Sequence, residues 1–360
     1  MVIGVMLDNN LEIERLLRQL PEVATLKVCS AWLKSKGLTY SASGWPEMID
    51  KRFRKSLSEN SLTREDVAQL VHECEEYSNK RVHLFQTKSG LDRHPIFSVG
   101  GIQKHYPKLK NWPKFGERSI AKIPTGQQIL EVRIDEAHRI DDERSVNIPR
   151  ALVLKVGTRE MRRVLVDETR QDNGREVLVY ERRAVPVVYV VRLFEDGVLE
   201  IRMDRESEDH AYLGTASAIW TAIGPLVNRA NYTERPIHGI LGNLWDQKSR
   251  TRLEKSFGIE RSDHENGLTK IITTVGKPNS VLSEDPNIIA TIDLFHKLNS
   301  GPTRGCKGAF IKTMVTQAQI EAGLLPLMVQ IHGLQNEFSV WAKCRKADYD
   351  LMLFRLLRET

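Results

Sequence analysis

The sequence has little of what usually marks a reaction or a membrane. Only four of its 360 residues are cysteine, Cys29, Cys74, Cys306 and Cys344, and no two share a C-x-x-C spacing. That excludes zinc-ribbon and thioredoxin-type sites. Cys29 and Cys74 fall on apolar helical stripes, which predicts buried free thiols and a reducing compartment, cytoplasm or nucleus or nucleoid. No apolar run approaches the ~20 residues that cross a bilayer, so no membrane partner is expected. Met1–Leu7 is too short for a secretory signal and lacks a basic leader. The 14 prolines are scattered and no long polar tract occurs, so a folded chain is expected.

Catalytic motifs are equally scarce. Gly301-Pro-Thr-Arg-Gly305-Cys-Lys307-Gly308 has glycines and a lysine but not the spacing of a phosphate-binding loop, and reads as a turn. No G-x-G-x-x-G follows a strand, and no G-x-S-x-G elbow is present. The ten histidines never fall in an H-x-x-x-H or H-x-E arrangement. His72 and His83 therefore read as structural, and no metal or cofactor is expected. One weak pattern remains in Asp196-Gly-Val-Leu-Glu200-Ile-Arg202. Metal-dependent nucleases use an acidic pair followed by a lysine that orients water. Here the base is arginine, which holds its proton too tightly for that task. An ordinary hairpin with solvent-facing Glu200 and Arg202 is the simpler expectation, with Asp196 and Glu200 kept as the alternative catalytic pair.

What the chain does have is localised positive charge. Lys+Arg number 53 against 47 Asp+Glu, a net charge of +6. Residues 88–122 alone hold eight bases, Lys88, Arg93, Lys104, Lys108, Lys110, Lys114, Arg118 and Lys122, against Asp92 and Glu117. The rest of the chain is close to neutral. Phe97, Tyr106, Trp112 and Phe115 lie among these bases. Lysines neutralise phosphates and rings stack on bases, so this footprint fits a polyanion. A solvated linker is the alternative reading. Lys51, Arg52, Arg54 and Lys55 form a second basic patch on a helix, answered nearby only by Asp50 and Glu59.

Periodicity divides the chain. Residues 1–90 read as a bundle of five short helices. Leu11, Leu16, Leu17 and Leu20 begin a first helix that Pro21 ends; Val23, Leu26, Cys29 and Leu33 carry a second, stopped by Gly37. Trp45-Pro46 starts a third, with Ile49, Phe53 and Leu57 at steps of four. Thr63-Arg-Glu-Asp66 reads as a capping box ahead of the Val67, Leu70, Val71, Cys74 stripe. Val82 and Phe85 continue the pattern onto a last short helix. Residues 91–124 read as a basic connector. From 125 to 360 the period becomes 2, which predicts an α+β domain in two sheet-and-helix halves, 125–245 and 265–360. Strands are expected around 130–134, 152–156, 164–166, 177–179, 187–191, 198–200, 270–275, 310–315, 327–331 and 338–342. Glu195-Asp-Gly197 reads as a hairpin turn, and helices are expected over 210–230, 288–298 and 347–358.

The helical region resembles the pyrin-like amino-terminal domain of the centromere protein N family. The likeness lies in Leu20-Pro21 leading to Ala31-Trp32, in His72-Glu-Cys74-Glu-Glu76, and in Val82-His-Leu-Phe85-Gln86-Thr-Lys88-Ser-Gly90. It covers about 90 residues, and the order of connector and sheet domain is similar. The resemblance implies a non-enzymatic protein that grips DNA while its sheet domain docks a partner subunit.

The expected function is therefore a nucleic-acid-binding component of a multi-protein complex, with DNA or RNA as partner. Lys51, Arg52, Arg54, Lys55, Lys104, Lys108, Lys110, Lys114 and Arg118 would contact phosphates, and Tyr106 and Trp112 would stack. A protein partner or second copy through the sheet domain fits the same layout. The alternatives are a metal-dependent nuclease on the sheet, and a protein-interaction adaptor that binds no nucleic acid.

Overall fold

A computed structural model describes residues 2–88, 126–140, 146–170, 176–204, 209–237, 239–243, 257–265, 270–274, 287–288, 290–291, 294, 306–332 and 336–360. The fold is α+β, with helices at the amino terminus and antiparallel sheet after them. Among the described residues no helix is long and apolar enough to cross a membrane. The chain divides into two compact units that interleave along the sequence. The first holds Met1–Leu84, Ala137–Ile148 and Glu234–Thr360; the second holds Phe85–Glu136 and Pro149–Thr233.

The first unit begins with helices α1 (Val2–Val23) and α2 (Leu26–Ser35). Pro21 lies inside α1, which runs two residues past it. Thr25 caps α2, its hydroxyl accepting from the Val28 amide at 3.2 Å. Residues 45–58 form one helical rod: α3 (Trp45–Glu47), a π-helical turn (Met48–Arg54) and α4 (Lys55–Ser58). The π turn follows from what is buried. Met48 and Phe53, five residues apart, are both fully buried, whereas Ile49 and Leu57 are only half-buried. The expected step of four is thus replaced by a step of five, and Phe53 stacks on Trp32. Helix α5 (Arg64–Tyr77) starts on the expected capping box, with Thr63 and Asp66 bonded reciprocally.

After α5 the expected last helix is a strand, β1 (Lys80–Thr87). Val82 and Phe85 have helical spacing, but Arg81, Val82 and His83 pair with Ser339, Phe338 and Glu337 of β13 (Glu337–Val340). That distant partner satisfies the backbone, so tertiary pairing overrides the local pattern. In this unit the sheet order is β10 (Lys270–Thr274), β9 (Phe257–Glu265), β11 (Cys306–Thr313), β12 (Met328–His332), β13 and β1, antiparallel where register is assigned. Ala309, Ile311, Val329, Ile331, Phe338 and Val340 face the core. The carboxy-terminal helix (Lys346–Glu359) packs there, its Tyr349 ring meeting both Phe338 and Tyr77.

In the second unit the end of β1 is followed across the sheet by β7 (Val198–Asp204), β6 (Glu176–Phe194), β5 (Ala151–Arg170) and β2 (Gln128–Asp135). Helix Asp209–Ile223 lays Ala216, Ile219, Trp220 and Ile223 on one face, against Leu154, Val156, Tyr189, Val191 and Ile201. The β6–β7 turn is the expected Glu195-Asp-Gly197. Gly197 has φ +85°, and an added Cβ would lie 2.2 Å from the Thr87 hydroxyl, so no other residue fits. The four segments expected around 152–156, 164–166, 177–179 and 187–191 are only two strands, of 20 and 19 residues.

Candidate nucleic-acid interface

Long strands need partners, and β5 and β6 outrun theirs. β7 pairs with β6 only from Val190 to Leu193, and β2 pairs with β5 only from Ala151 to Gly157. Beyond that, β5 and β6 pair with each other from Thr158↔Val187 out to Arg170↔Glu176. On β6 every residue from Val179 to Ala184 is exposed. Side chains alternate sides along a strand, so six consecutive exposed residues mean that both faces meet solvent. This part of the hairpin is a two-stranded ribbon, and the stretch from Arg159 to Arg170 is roughly 35–40 Å long.

The register of this ribbon places like charges together. Arg162 is directly opposite Arg183, and Arg163 directly opposite Arg182. Arg159, Arg182 and Arg183 are exposed. Glu181 answers Arg183 at 2.6 Å, with both side chains more than half exposed. Directly opposed like charges destabilise a strand pair by a few tenths of a kcal/mol to about 1 kcal/mol. The same ribbon also carries Glu160, Asp167, Glu168, Glu176 and Glu181, so its opposed arginines stand among nearly as many acids. The major groove of DNA admits a two-stranded β-ribbon, and arginine is the side chain that most often contacts guanine there. The doublets Arg162-Arg163 and Arg182-Arg183 are legible in the sequence. Reading 164–166 and 177–179 as separate short strands hides that they oppose each other.

The helical patch is laid out differently from its expected form. Lys51, Arg54 and Lys55 are exposed and Arg52 is partly covered. All four have acidic partners, and two of the acids, Glu47 and Glu14, lie beyond the expected Asp50 and Glu59. Lys51 and Arg52 reach Glu47 at 3.8 and 3.3 Å. Arg54 bonds Glu14 of α1 at 2.7 Å and also Asp50, and Lys55 reaches Glu59 at 3.7 Å. The bond from Glu14 holds the Arg54 guanidinium above its ordinary pKa, and the Ser43 amide and hydroxyl hold Glu47 below the usual carboxylate range. Solvent-exposed ion pairs of this kind contribute little to stability. Lys104, Tyr106, Lys108, Lys110, Trp112, Lys114 and Arg118 lie outside the described residues. Lys88 is the one described residue of the basic stretch, its amide bonded to Asn231 at 2.9 Å.

Asp196 and Glu200 are not brought together as a metal-binding pair. Asp196 is exposed on the turn and caps it, Oδ1 accepting from the Val198 amide at 3.2 Å. Glu200 is fully buried, with Arg202 at 2.5 Å and Arg192 at 3.8 Å. The expected solvent-facing Glu200 and Arg202 are thus corrected: both are inside. The face opposite the helix is covered, so alternation along β7 separates two buried faces rather than core from water. Two guanidiniums beside this one carboxylate already balance its charge within the sheet. Among the described residues no group of three or more His, Cys, Asp or Glu has metal-site geometry.

The first unit has a polar face that the sequence analysis missed. Opposite the core side of the sheet lie Arg261 of β9, Phe310 of β11, Gln330 of β12 and Trp341 just past β13. The Phe310 and Trp341 rings are 5.6 Å apart, and the Arg261 guanidinium sits 5.5 Å over Phe310. Trp341 is 42 % exposed, and its indole N–H donates to Gln330 Oε1 at 2.9 Å. The alternation Phe310, Lys312 and Gln330, His332 marks this face as half-open. Nearer β1 it closes over Arg81, His83 and Glu337, with Arg81 bonded to Glu337 and His83 Nε2 3.3 Å from it. Burial outweighs that carboxylate and lowers the His83 pKa to about 4.

No family model matches this chain, and no curated protein matches it.

Proposed function

We propose that the protein is a non-enzymatic nucleic-acid-binding component of a multi-protein complex, and that duplex DNA is the ligand. The observation that carries this reading is the β5–β6 ribbon, with Arg162 opposite Arg183 and Arg163 opposite Arg182. The concentration of positive charge and rings in residues 88–122 supports it from the sequence, as does the resemblance of the helical region to the centromere protein N family. The ribbon supplies groove and phosphate contacts, while the 88–122 stretch and the Lys51–Lys55 face add phosphate neutralisation. Each contacted phosphate adds about 0.9 to the slope of log affinity against log salt.

The test is retention of a labelled duplex across a salt series, with and without magnesium, on a gel that also resolves cleavage. Wild-type protein is expected to retain intact duplex. Arg182→Glu with Arg183→Glu is expected to weaken retention at least tenfold at low salt and to flatten the salt slope by about two. Unchanged retention in that variant overturns the assignment to the ribbon. No retention by wild type at low salt overturns nucleic-acid binding and favours an adaptor. Magnesium-dependent fragments would restore the nuclease alternative.

A further inference from the structure

Beside Trp341 the first unit has a cavity of about 430 Å³. Trp341, Leu325 and Pro326 supply apolar wall, and Lys27, Asn79 and Lys343 supply polar groups. Lys27 is exposed at the start of α2. The Lys343 ammonium donates to the Pro21 and Ala24 carbonyls at 3.0 and 3.4 Å, which fixes the end of α1 against this wall. The walls are held in place locally. The Leu325 amide donates to Asp348 at 2.8 Å, and Gly323, at φ +88°, lets its loop approach α2 so closely that a Cβ would lie 2.6 Å from the Ala31 carbonyl. The cavity has the size of a small organic group, and two lysines, Lys27 and Lys343, line it together with Asp348, whose carboxylate Arg345 and the Leu325 amide engage.

Trp341 joins the cavity to the half-open face. Arg261 of β9 and Phe310 of β11 are on adjacent strands, and Trp341, just past β13, meets Phe310 and also lines the cavity. Rings with cations beside them bind unpaired bases and their phosphates, because every base has a stackable face and every linkage a charge. A duplex hides its base faces and has no use for such a surface. We propose that this face is a platform for single-stranded DNA and that the cavity beside Trp341 receives one unpaired nucleotide. The inference rests on the nucleic-acid reading above and names a second substrate class for it.

The commitment to DNA comes with the nucleic-acid reading on which the platform rests. Gln330 Oε1 already accepts from Trp341, and His332 Nε2 is bonded to Ser339 at 2.8 Å. With these two atoms engaged within the protein, stacking and charge set the affinity.

The test measures anisotropy of labelled dT12, rU12 and a 30-base-pair duplex with the full chain. The proteins are wild type, Trp341→Ala, Trp341→Phe, Lys27→Glu and Arg182→Glu/Arg183→Glu. Wild type is expected to bind dT12. Trp341→Ala is expected to lose roughly tenfold on dT12, Trp341→Phe to keep most of the affinity, and Lys27→Glu to lose severalfold. All three are expected to bind duplex as wild type does. The double arginine variant is expected to lose duplex and keep dT12. Absent dT12 binding beside intact duplex binding overturns the platform alone. Equal dT12 affinity in wild type, Trp341→Ala and Lys27→Glu also overturns it. Tighter binding of rU12 than dT12 overturns the commitment to DNA. Loss of duplex binding in wild type with dT12 retained overturns the ribbon reading and leaves the platform standing.

Discussion

At the scale of single residues, the clearest determinants are short-range. Asp66 shows how. Its carboxylate accepts from the Thr63 amide at 2.9 Å and hydroxyl at 2.7 Å, and from Lys36 at 2.5 Å. The Lys36 bond, then those of Thr63, lower its pKa from 3.8 to about 2. A carboxylate whose folded pKa is depressed contributes stability that is present above its unfolded value and lost as pH falls through the folded one. Asp66→Ala is expected to cost about 1 kcal/mol near pH 6. Its urea midpoint should converge on that of wild type as the pH drops from about 4 toward 2. A gap that persists at the acid end would mean the cap acts without its charge. The box is legible as Thr63-x-x-Asp66 because both partners lie within one turn. Lys36 is 30 residues away, and no spacing rule reaches it.

At the scale of elements, strand length decides what the second unit presents. The β5–β6 ribbon extends beyond its neighbours, and among its described residues Met161, Val179 and Tyr180 are exposed apolar side chains. Val179–Ala184 are exposed and none of them belongs to the core of this unit. Replacing residues 162–183 by a two-residue Asn-Gly turn is therefore expected to leave the urea midpoint within about 0.5 kcal/mol of wild type. The same replacement is expected to reduce duplex retention at least tenfold. A large loss of stability would show that the ribbon is structural. The helical rod 45–58 shows the reverse case, in which packing alters an element's internal geometry. Burying Met48 and Phe53 together requires a turn of more than four residues, and the resulting π segment carries Lys51, Arg52 and Arg54. Periodicity finds the rod but assumes 3.6 residues per turn, so it misplaces the stripe.

At the scale of the whole molecule, burial sets the chemistry of the cysteines. Cys29, Cys74 and Cys344 are free and buried. Burial raises the Cys29 thiol to about 12 and the Cys74 thiol higher still. A thiol held that far above neutrality has almost no thiolate to react. At pH 8 these three are expected to resist iodoacetamide in the native protein and to alkylate together in 8 M urea, as read by peptide mass spectrometry. Native-state labelling of Cys29 would show that the helical core opens locally.

The sequence by itself determined the α+β class, the helical start, the Thr63–Asp66 capping box, the Gly197 turn and the buried thiols Cys29 and Cys74. Each rests on neighbours within a few residues, or on a period that one buried face imposes. Only the tertiary structure decided that residues 80–87 are a strand, because their partners are more than 100 positions away. It alone joined four short β segments into two long strands and set arginine opposite arginine. It also buried Glu200 and Arg202, which alternation assigns to solvent, because a strand covered on both sides has no polar face. Phe310 and Trp341 are 31 residues apart and ordinary where they stand. They meet only when β11 and β12 lie side by side and β13 ends next to them, since register between strands is a long-range quantity that no local pattern encodes.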